Sequence, residues 1–325
     1  MLTGVGSPSV SVIIPTRNRR ESLVRCLDAL AAQTLPPGRF EVVVVDDGSE
    51  PSLAMDPARW APQFAVKLVR QGNTGPAGAR NRGLAEAVGE WIAFTDDDTL
   101  PQPDWLAHLV AALERNPAAL VGGKTVNGLP DDLFAEASML VLDLAYEHFN
   151  RDAGNAAFFA SNNLALRRDG FLAAGGFDVR FVVASEDREF CDRWRMQRRP
   201  LVWERGAVVE HRHPQGFTGF CRLHFRYGIG AFHHHALRQA RGSGTVGADL
   251  GFHSGLPAGF LRATENRRLG WRLALAWRLL LWEVVNAAGF LFAWMRALGR
   301  GARRGGVERV SERKRAGIGP TGRRP

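Results

Sequence analysis

Cysteine is scarce in this chain. The 325 residues hold three, Cys26, Cys191 and Cys221, an odd number at wide spacings. That excludes a disulfide framework and a cysteine-based metal site, and it points to a reducing compartment. The segment from Met1 to Pro8 has neither a basic stretch nor an apolar run, so no signal peptide is expected. No internal repeat is visible. A clean long apolar run is lacking too. The longest nearly apolar stretch, 279–295, contains Glu283 and Asn286, and a spanning helix wants roughly 20 apolar residues with few charges. Charge of one sign is missing from the body of the chain. The net charge is +9, but after Ala293 ten basic residues stand against only Glu308 and Glu312. The remainder is close to neutral, which argues against a nucleic-acid binder. The Gly- and Arg-rich tail, 299–325, is expected to be disordered on its own.

What is present is a series of short apolar runs. Residues 10–14 are β-branched and stop at Pro15. Residues 42–45, 66–69 and 91–94 are further strands. Between them, Leu23, Val24, Leu27, Leu30 and Ala31 follow helical spacing, and 75–89 contains an Ala-rich helix. Strands alternating with helices imply an α/β fold, a doubly wound, mainly parallel sheet with helices on both faces. Later signals are weaker. Residues 158–166 read as a strand with a polar kink, 186–195 as a helix, and 201–203 and 207–209 as two short strands.

Polar clusters fall where the strands end: Thr16-Arg17-Asn18, Asp46-Asp47 and Asp96-Asp97-Asp98. Open α/β sheets bind ligands beyond these carboxyl ends. Three adjacent carboxylates resist ionising together unless a cation neutralises them, and hard divalent cations prefer oxygen ligands. If strand alternation continues past Phe94, Asp96 and Asp98 share one face and Asp97 is the spare member.

The ordered set of motifs resembles a family 2 glycosyltransferase, a nucleotide-sugar-dependent group with the GT-A fold. The matching pieces are residues 12–18, 41–49, 73–83, 94–98, 175–178 and 185–190, in order over roughly 9–215. The resemblance implies inverting transfer from a nucleotide-diphosphate-sugar to an acceptor hydroxyl, with Mn²⁺ or Mg²⁺. It maps metal binding to Asp98, Asp96 and His211, the last favoured over His213. Nucleotide-sugar contacts map to Pro15, Thr16, Asp46, Asp47, Arg80, Asp96 and Asp97. Asp187 maps to the catalytic base, with Glu186 as the second choice, and Asn162, Asn163 and Gly176 to the acceptor side. A bland reading stands beside each: a surface ion pair for Arg80, a dipole-favoured first turn for Glu186 and Asp187, backbone capping for the asparagines.

Two other functions predict different residues at these positions. A sugar-phosphate nucleotidyltransferase would show a Gly-rich, Lys-containing loop after the first strand, where this chain has Pro15-Thr16-Arg17-Asn18. A non-catalytic glycan-binding protein of the same fold would be favoured by loss of Asp96, Asp98 or Asp187, and all three are present. No Gln-x-x-Arg-Trp motif of processive synthases is seen, so single transfers are expected.

The expected organisation is a GT-A domain over 1–215, a helical region over 216–298 and the basic tail. Residues 241–260 hold six glycines and read as a flexible loop that covers the acceptor. Residues 271–298 carry Trp271, Trp277, Trp282 and Trp294, with Arg272, Arg278, Glu283, Asn286 and Arg296 on one arc. That pattern suits a helix in the membrane interface, a spanning helix, or a helix packed on the domain. The expected partners are the donor, a glycan, lipid-linked or other hydroxyl acceptor, and an anionic membrane surface. The expected location is cytoplasmic, at the inner face of the cell membrane. The cell-envelope or exopolysaccharide pathways are the expected setting.

Overall fold

The computed structural model describes residues 8–181, 184–244 and 247–316. Its elements run β1 (Val10–Thr16), α1 (Arg20–Ala31), β2 (Phe40–Asp47), β3 (Ala65–Gln71), α2 (Gly75–Glu86), β4 (Trp91–Thr95), β5 (Thr99–Pro101), α3 (Trp105–Arg115), β6 (Leu120–Asn127), α4 (Leu133–Phe149), β7 (Asn163–Arg167), α5 (Arg168–Ala173), α6 (Glu186–Met196), β8 (Leu201–His211), α7 (Phe217–Arg241), α8 (Gly247–Ala263) and α9 (Leu269–Ala316).

One sheet carries the eight strands in the order β3-β2-β1-β4-β7-β6-β8-β5. β1 to β4 are parallel, whereas β7 runs antiparallel to both β4 and β6. The apolar strand runs alternate between two faces. Val12, Ile14, Val42 and Val44 pack on α1 and α3 through Leu23, Leu27, Trp105 and Leu109. Ile13, Val43 and Val45 pack on the other side with Ala77, Leu84, Phe190 and Trp194. Strands buried on both faces need no polar alternation, which is why they read as continuous Val/Ile runs. α2 comes very close to β1, because a Cβ at Gly83 would overlap the Ile13 side chain. Pro15 lies inside β1, beyond the last residue paired with β4, Ile13, so its missing N–H leaves no gap in that ladder.

Several expectations are corrected. Only Asn163–Arg167 of the 158–166 segment is strand; residues 158–162 form a turn-containing approach to it. The two short strands after 200 are one, Leu201–His211. The glycine-rich 241–260 segment is largely helix, α8. Its Phe252 and Leu256 are buried against α4, and Gly259 admits Leu144 closely, so tertiary packing overrides the poor helix propensity of glycine. The helical backbone of α9 also continues to Ala316, into the tail expected to be disordered. Arg, Ala and Glu are good helix formers, and no proline intervenes before Pro320. The tail's last residues, 317–325, lie outside the described ones.

α4, α7, α8 and α9 enclose a third apolar cluster that includes Val141, Phe220, Phe252, Leu275 and Trp282. α9 turns Arg278, Glu283 and Asn286 of its polar arc toward the protein, while Arg296 is exposed. Glu283 meets His253 Nδ1 at 2.9 Å, the Arg278 guanidinium lies 4.5 Å from the centre of the Phe134 ring, and the Asn286 backbone crosses Gly228. Its outward face is apolar: Leu269, Leu273, Trp277, Leu280 and Val284 are exposed, followed by Leu291, Met295 and Leu298. The stretch Leu269–Gly299 is long and apolar enough to cross a membrane, by length and composition.

Candidate active site

The ends of β1, β4 and β8 converge on the acidic triplet. β4 stops at Thr95, so residues 96–98 lie in a turn, closed by the Thr99 hydroxyl donating to the Asp96 carbonyl at 2.7 Å. Strand alternation therefore does not apply, and the three carboxylates diverge. Asp98 meets two imidazoles, His211 Nε2 at 3.3 Å and His213 Nδ1 at 2.9 Å. β5 pairs antiparallel with β8 and sets Thr99 opposite His211, which fixes this meeting. The two rings lie parallel, 5.8 Å apart. Asp97, expected to be spare, is buried and accepts from the Thr16 hydroxyl at 2.7 Å. Arg19 donates to Asp98 at 2.6 Å and to Asp97 at 3.3 Å. Asp96 accepts from Arg80 Nη2 at 2.6 Å. Among the described residues, the ligand atoms of Asp98, His211 and His213 come together within 4.8 Å of one another, whereas Asp96 is held by Arg80. One carboxylate and two imidazoles fit a divalent cation, and nitrogen donors suit Mn²⁺ better than Mg²⁺. Sequence reasoning missed Arg19, and ranked His213 below His211; spacing of two along a strand end was the available signal.

Charge in this cluster is strongly coupled. Burial pushes the Asp98 carboxyl up, but His211, His213 and Arg19 together hold it well below the usual carboxylate range. Burial alone lowers the His211 imidazole, yet the Asp98 hydrogen bond and charge raise it overall. Burial moves Asp97 up to about 6, opposed by the Thr16 hydrogen bond and aided by the charge of Asp98.

Arg80 connects this cluster to a second acidic pair. Buried on α2, it donates Nη1 to Glu186 Oε1 at 3.0 Å while Nη2 holds Asp96. It is not a surface ion pair. Glu186 and Asp187 begin α6, after Ser185 in the left-handed region at φ 77°. Few non-glycine residues adopt that conformation without a cost. Asp187 is fixed by two backbone donors, Ser161 N–H at 3.2 Å and Arg188 N–H at 2.7 Å. Burial and the charge of Asp187 bring Glu186 up to about 7, partly offset by Arg80. Burial also raises Asp187, against those two N–H bonds.

Asp46 and Asp47 are both buried and engaged by their own loops. Asp46 accepts from the Ser49 and Leu53 N–H groups at 2.9 and 3.3 Å. Asp47 accepts from Thr74 N–H at 2.8 Å and Gly75 N–H at 2.9 Å, which places a carboxylate at the start of α2. Asn162 lines the cavity beside Asp187. Asn163 does not. It is fully buried, accepts from Trp105 Nε1 at 2.8 Å and donates to the Lys124 and Ala207 carbonyls at 3.0 Å. All its hydrogen-bonding atoms are spent in the core. Gly176 sits in a turn at φ 68°, its carbonyl held by Arg193, and Asn81 clasps the next residue, Phe177, through both backbone groups. Neither Asn163 nor Gly176 lines the cavity over Asp187.

A cavity of about 780 Å³ opens over the acidic pair, within the size range of small-ligand sites. Arg80, Asp96, Glu186, Asp187 and His211 form its polar end.

The model of glycosyl transferase family 2 matches residues 11–173. Glycosyltransferase AglE of Haloferax volcanii is 36% identical over 122 residues, which covers 36% of this chain and 39% of that protein. The PGL/p-HBAD biosynthesis glycosyltransferase of Mycobacterium tuberculosis is 32% identical over 186 residues, 56% of this chain and 68% of its own. The mannosyltransferase PcManGT from Pyrobaculum calidifontis, solved in complex with GDP-Man and Mn²⁺, superposes with a TM-score of 0.59 at 24% identity, covering 89% of this chain and 86% of that one. That likeness speaks to the fold. With the family model matching half of the sequence and the sheet laid out as it is, this chain belongs to glycosyl transferase family 2 and is a glycosyltransferase with a GT-A fold.

Proposed function

We propose that the enzyme catalyses inverting transfer of a sugar from a nucleoside-diphosphate-sugar to an acceptor hydroxyl, with a divalent cation, at an anionic membrane surface in cell-envelope or exopolysaccharide synthesis. The observation that carries this reading is the buried Arg80, which bridges Asp96 of the acidic triplet and Glu186 of the Glu186–Asp187 pair. Asp98, in the same triplet, meets His211 and His213.

Asp98, His211 and His213 would hold the cation. When bound, it supplies positive charge that neutralises the departing diphosphate. Arg19 beside Asp98 is placed to donate to the same anion. Arg80 orders Asp96 at the donor end of the cavity. Asp187 is the base: its carboxylate lines the cavity, its orientation is fixed by two N–H groups, and its raised pKa moves it toward the working range of a proton acceptor. Glu186 is occupied by Arg80, which makes it the poorer choice.

A panel of nucleotide-sugars, assayed for binding and hydrolysis with and without Mn²⁺, tests the reading. One or more donors should bind in a Mn²⁺-dependent way. Asp187→Asn should keep that binding and reduce transfer by about 10²–10⁴-fold, the usual contribution of a general base. Unchanged turnover by that variant removes Asp187 from the role, and no donor bound under either condition overturns the whole reading.

A further inference from the structure

The cavity over Glu186 and Asp187 does not end where a sugar would. Its further walls come from α4, α7, α8 and α9, helices outside the sheet. Phe149, Phe158, Phe252, Trp282 and Phe290 line it there. Two other lining residues are surface leucines, Leu250 on α8 with 64% of its area exposed and Leu291 on α9 with 51%. The cavity therefore runs from carboxylates to an apolar rim. Leu291 belongs to the same outward face of α9 as Val284, Met295 and Leu298. The mouth and the outer apolar surface of the molecule are continuous.

We propose that this cavity is the acceptor subsite for a lipid-linked acceptor. The head group brings its hydroxyl to Asp187. The hydrocarbon chain lies against Phe252, Trp282 and Phe290 and leaves between Leu250 and Leu291 into the bilayer. The inference rests on the transferase reading and narrows its acceptor to one class. A soluble glycan needs hydrogen-bonding partners along its length, whereas aromatic and aliphatic side chains make up most of the lining that α4, α7, α8 and α9 supply, with Ser138, His235, Glu283 and Asn286 among them. Arg188 and Arg226 share the cavity wall, which suits a phosphate link between head and chain. Entry beside α9 also lets the chain stay in hydrocarbon while the head reaches the carboxylates, so little apolar surface crosses water.

The test uses the full chain and octyl, decyl and dodecyl phosphate as probes, each below its micelle concentration, with affinity read by titration calorimetry. Each added methylene should tighten binding about fourfold, the equivalent of roughly 0.8 kcal/mol per buried CH₂. Ala145→Trp, which fills the cavity from α4, should flatten that dependence. Leu291→Arg, at an exposed position where folding is not at stake, should do the same at the mouth. Affinity independent of chain length overturns the proposal, as does a dependence that survives both substitutions. The donor panel is read separately. A protein that transfers sugar to soluble glycosides with no chain-length dependence keeps its transferase assignment and loses this one. Chain-length dependence with no donor bound, with or without Mn²⁺, keeps the lipid subsite and sinks the transferase reading.

Discussion

Arg80 is a buried cation that answers two carboxylates at once. Its side chain is 3% exposed, and it faces Asp96 and Glu186 across 2.6 and 3.0 Å. Burial disfavours its charge, yet the two carboxylates more than restore it and raise its pKa. Arg80→Met would leave Glu186 buried beside Asp187 with no counter-charge. Breaking a buried pair in this way costs about 3 kcal/mol or more. The cost must depend on pH. Glu186 already titrates near 7 against an ordinary 4.5, and losing Arg80 raises it further. A carboxyl that holds its proton more tightly when folded loses stability as pH rises through that window. Urea unfolding of the metal-free variant should therefore show its largest deficit at pH 8 and recover toward pH 5. A deficit that grows on acidification would contradict the role given to Arg80. Sequence alone placed Arg80 near the nucleotide or on the surface. It offered no sign of Glu186 as partner, because 106 positions separate them. The same limit applied to Asp96. Periodicity along a strand predicts directions only while the strand lasts, and β4 ends one residue earlier. The place of Asp187 at the start of a helix was legible because the motif around it is local. Asn163 was misread because a buried amide serving Trp105 and two carbonyls looks, in sequence, like any other polar residue beside a loop.

At the scale of elements, legibility followed the kind of burial. β1, β2 and β4 are covered on both faces and appear as continuous apolar runs. α1 has one buried face and appears at helical spacing. α4 has neither signature. It contributes Leu142 and Tyr146 to the sheet-side core, and Ala137, Val141 and Leu144 to the helical cluster. A helix wrapped on several sides loses its polar stripe. α7 and α9 were hard to pair for a different reason, since their contact is made by what is missing. A Cβ at Gly228 would overlap the Asn286 carbonyl, and one at Gly289 would overlap the Phe225 carbonyl. Only glycine lets the two backbones come this close. Gly228→Leu or Gly289→Leu should therefore push the helices apart and loosen the wall of the cavity, including Trp282 and Phe290. The expected result is faster amide exchange in α7 and α9, with the sheet strands unchanged. Equal protection across α9 in wild type and both variants would show that the helices do not meet through these glycines.

At the scale of the whole molecule, the unusual fact is an inverted helix. The polar residues Arg278 and Glu283 of α9 turn toward the protein, while Trp277, Leu280, Val284 and Met295 turn out. Soluble proteins rarely leave a continuous apolar face of this kind uncovered. The residues that follow are rich in arginine, and the anionic lipid surface proposed as partner would match both features at once. The two contributions are separable. Each basic residue near such a surface adds roughly 1 kcal/mol and is screened by salt, whereas the apolar face binds by burial and is not. Full-length protein should sediment with vesicles containing phosphatidylglycerol more than with phosphatidylcholine alone, and added salt should remove that difference. Leu280→Glu combined with Val284→Glu should weaken binding to both vesicle types. These side chains are 66% and 60% exposed, so the fold does not depend on them. Binding unaffected by the double substitution would exclude lipid contact through this face. A concentration-dependent dimer that the same substitutions dissolve would name a second copy of the chain as its partner instead, and the cavity mouth at Leu291 would then open onto a subunit interface rather than a membrane.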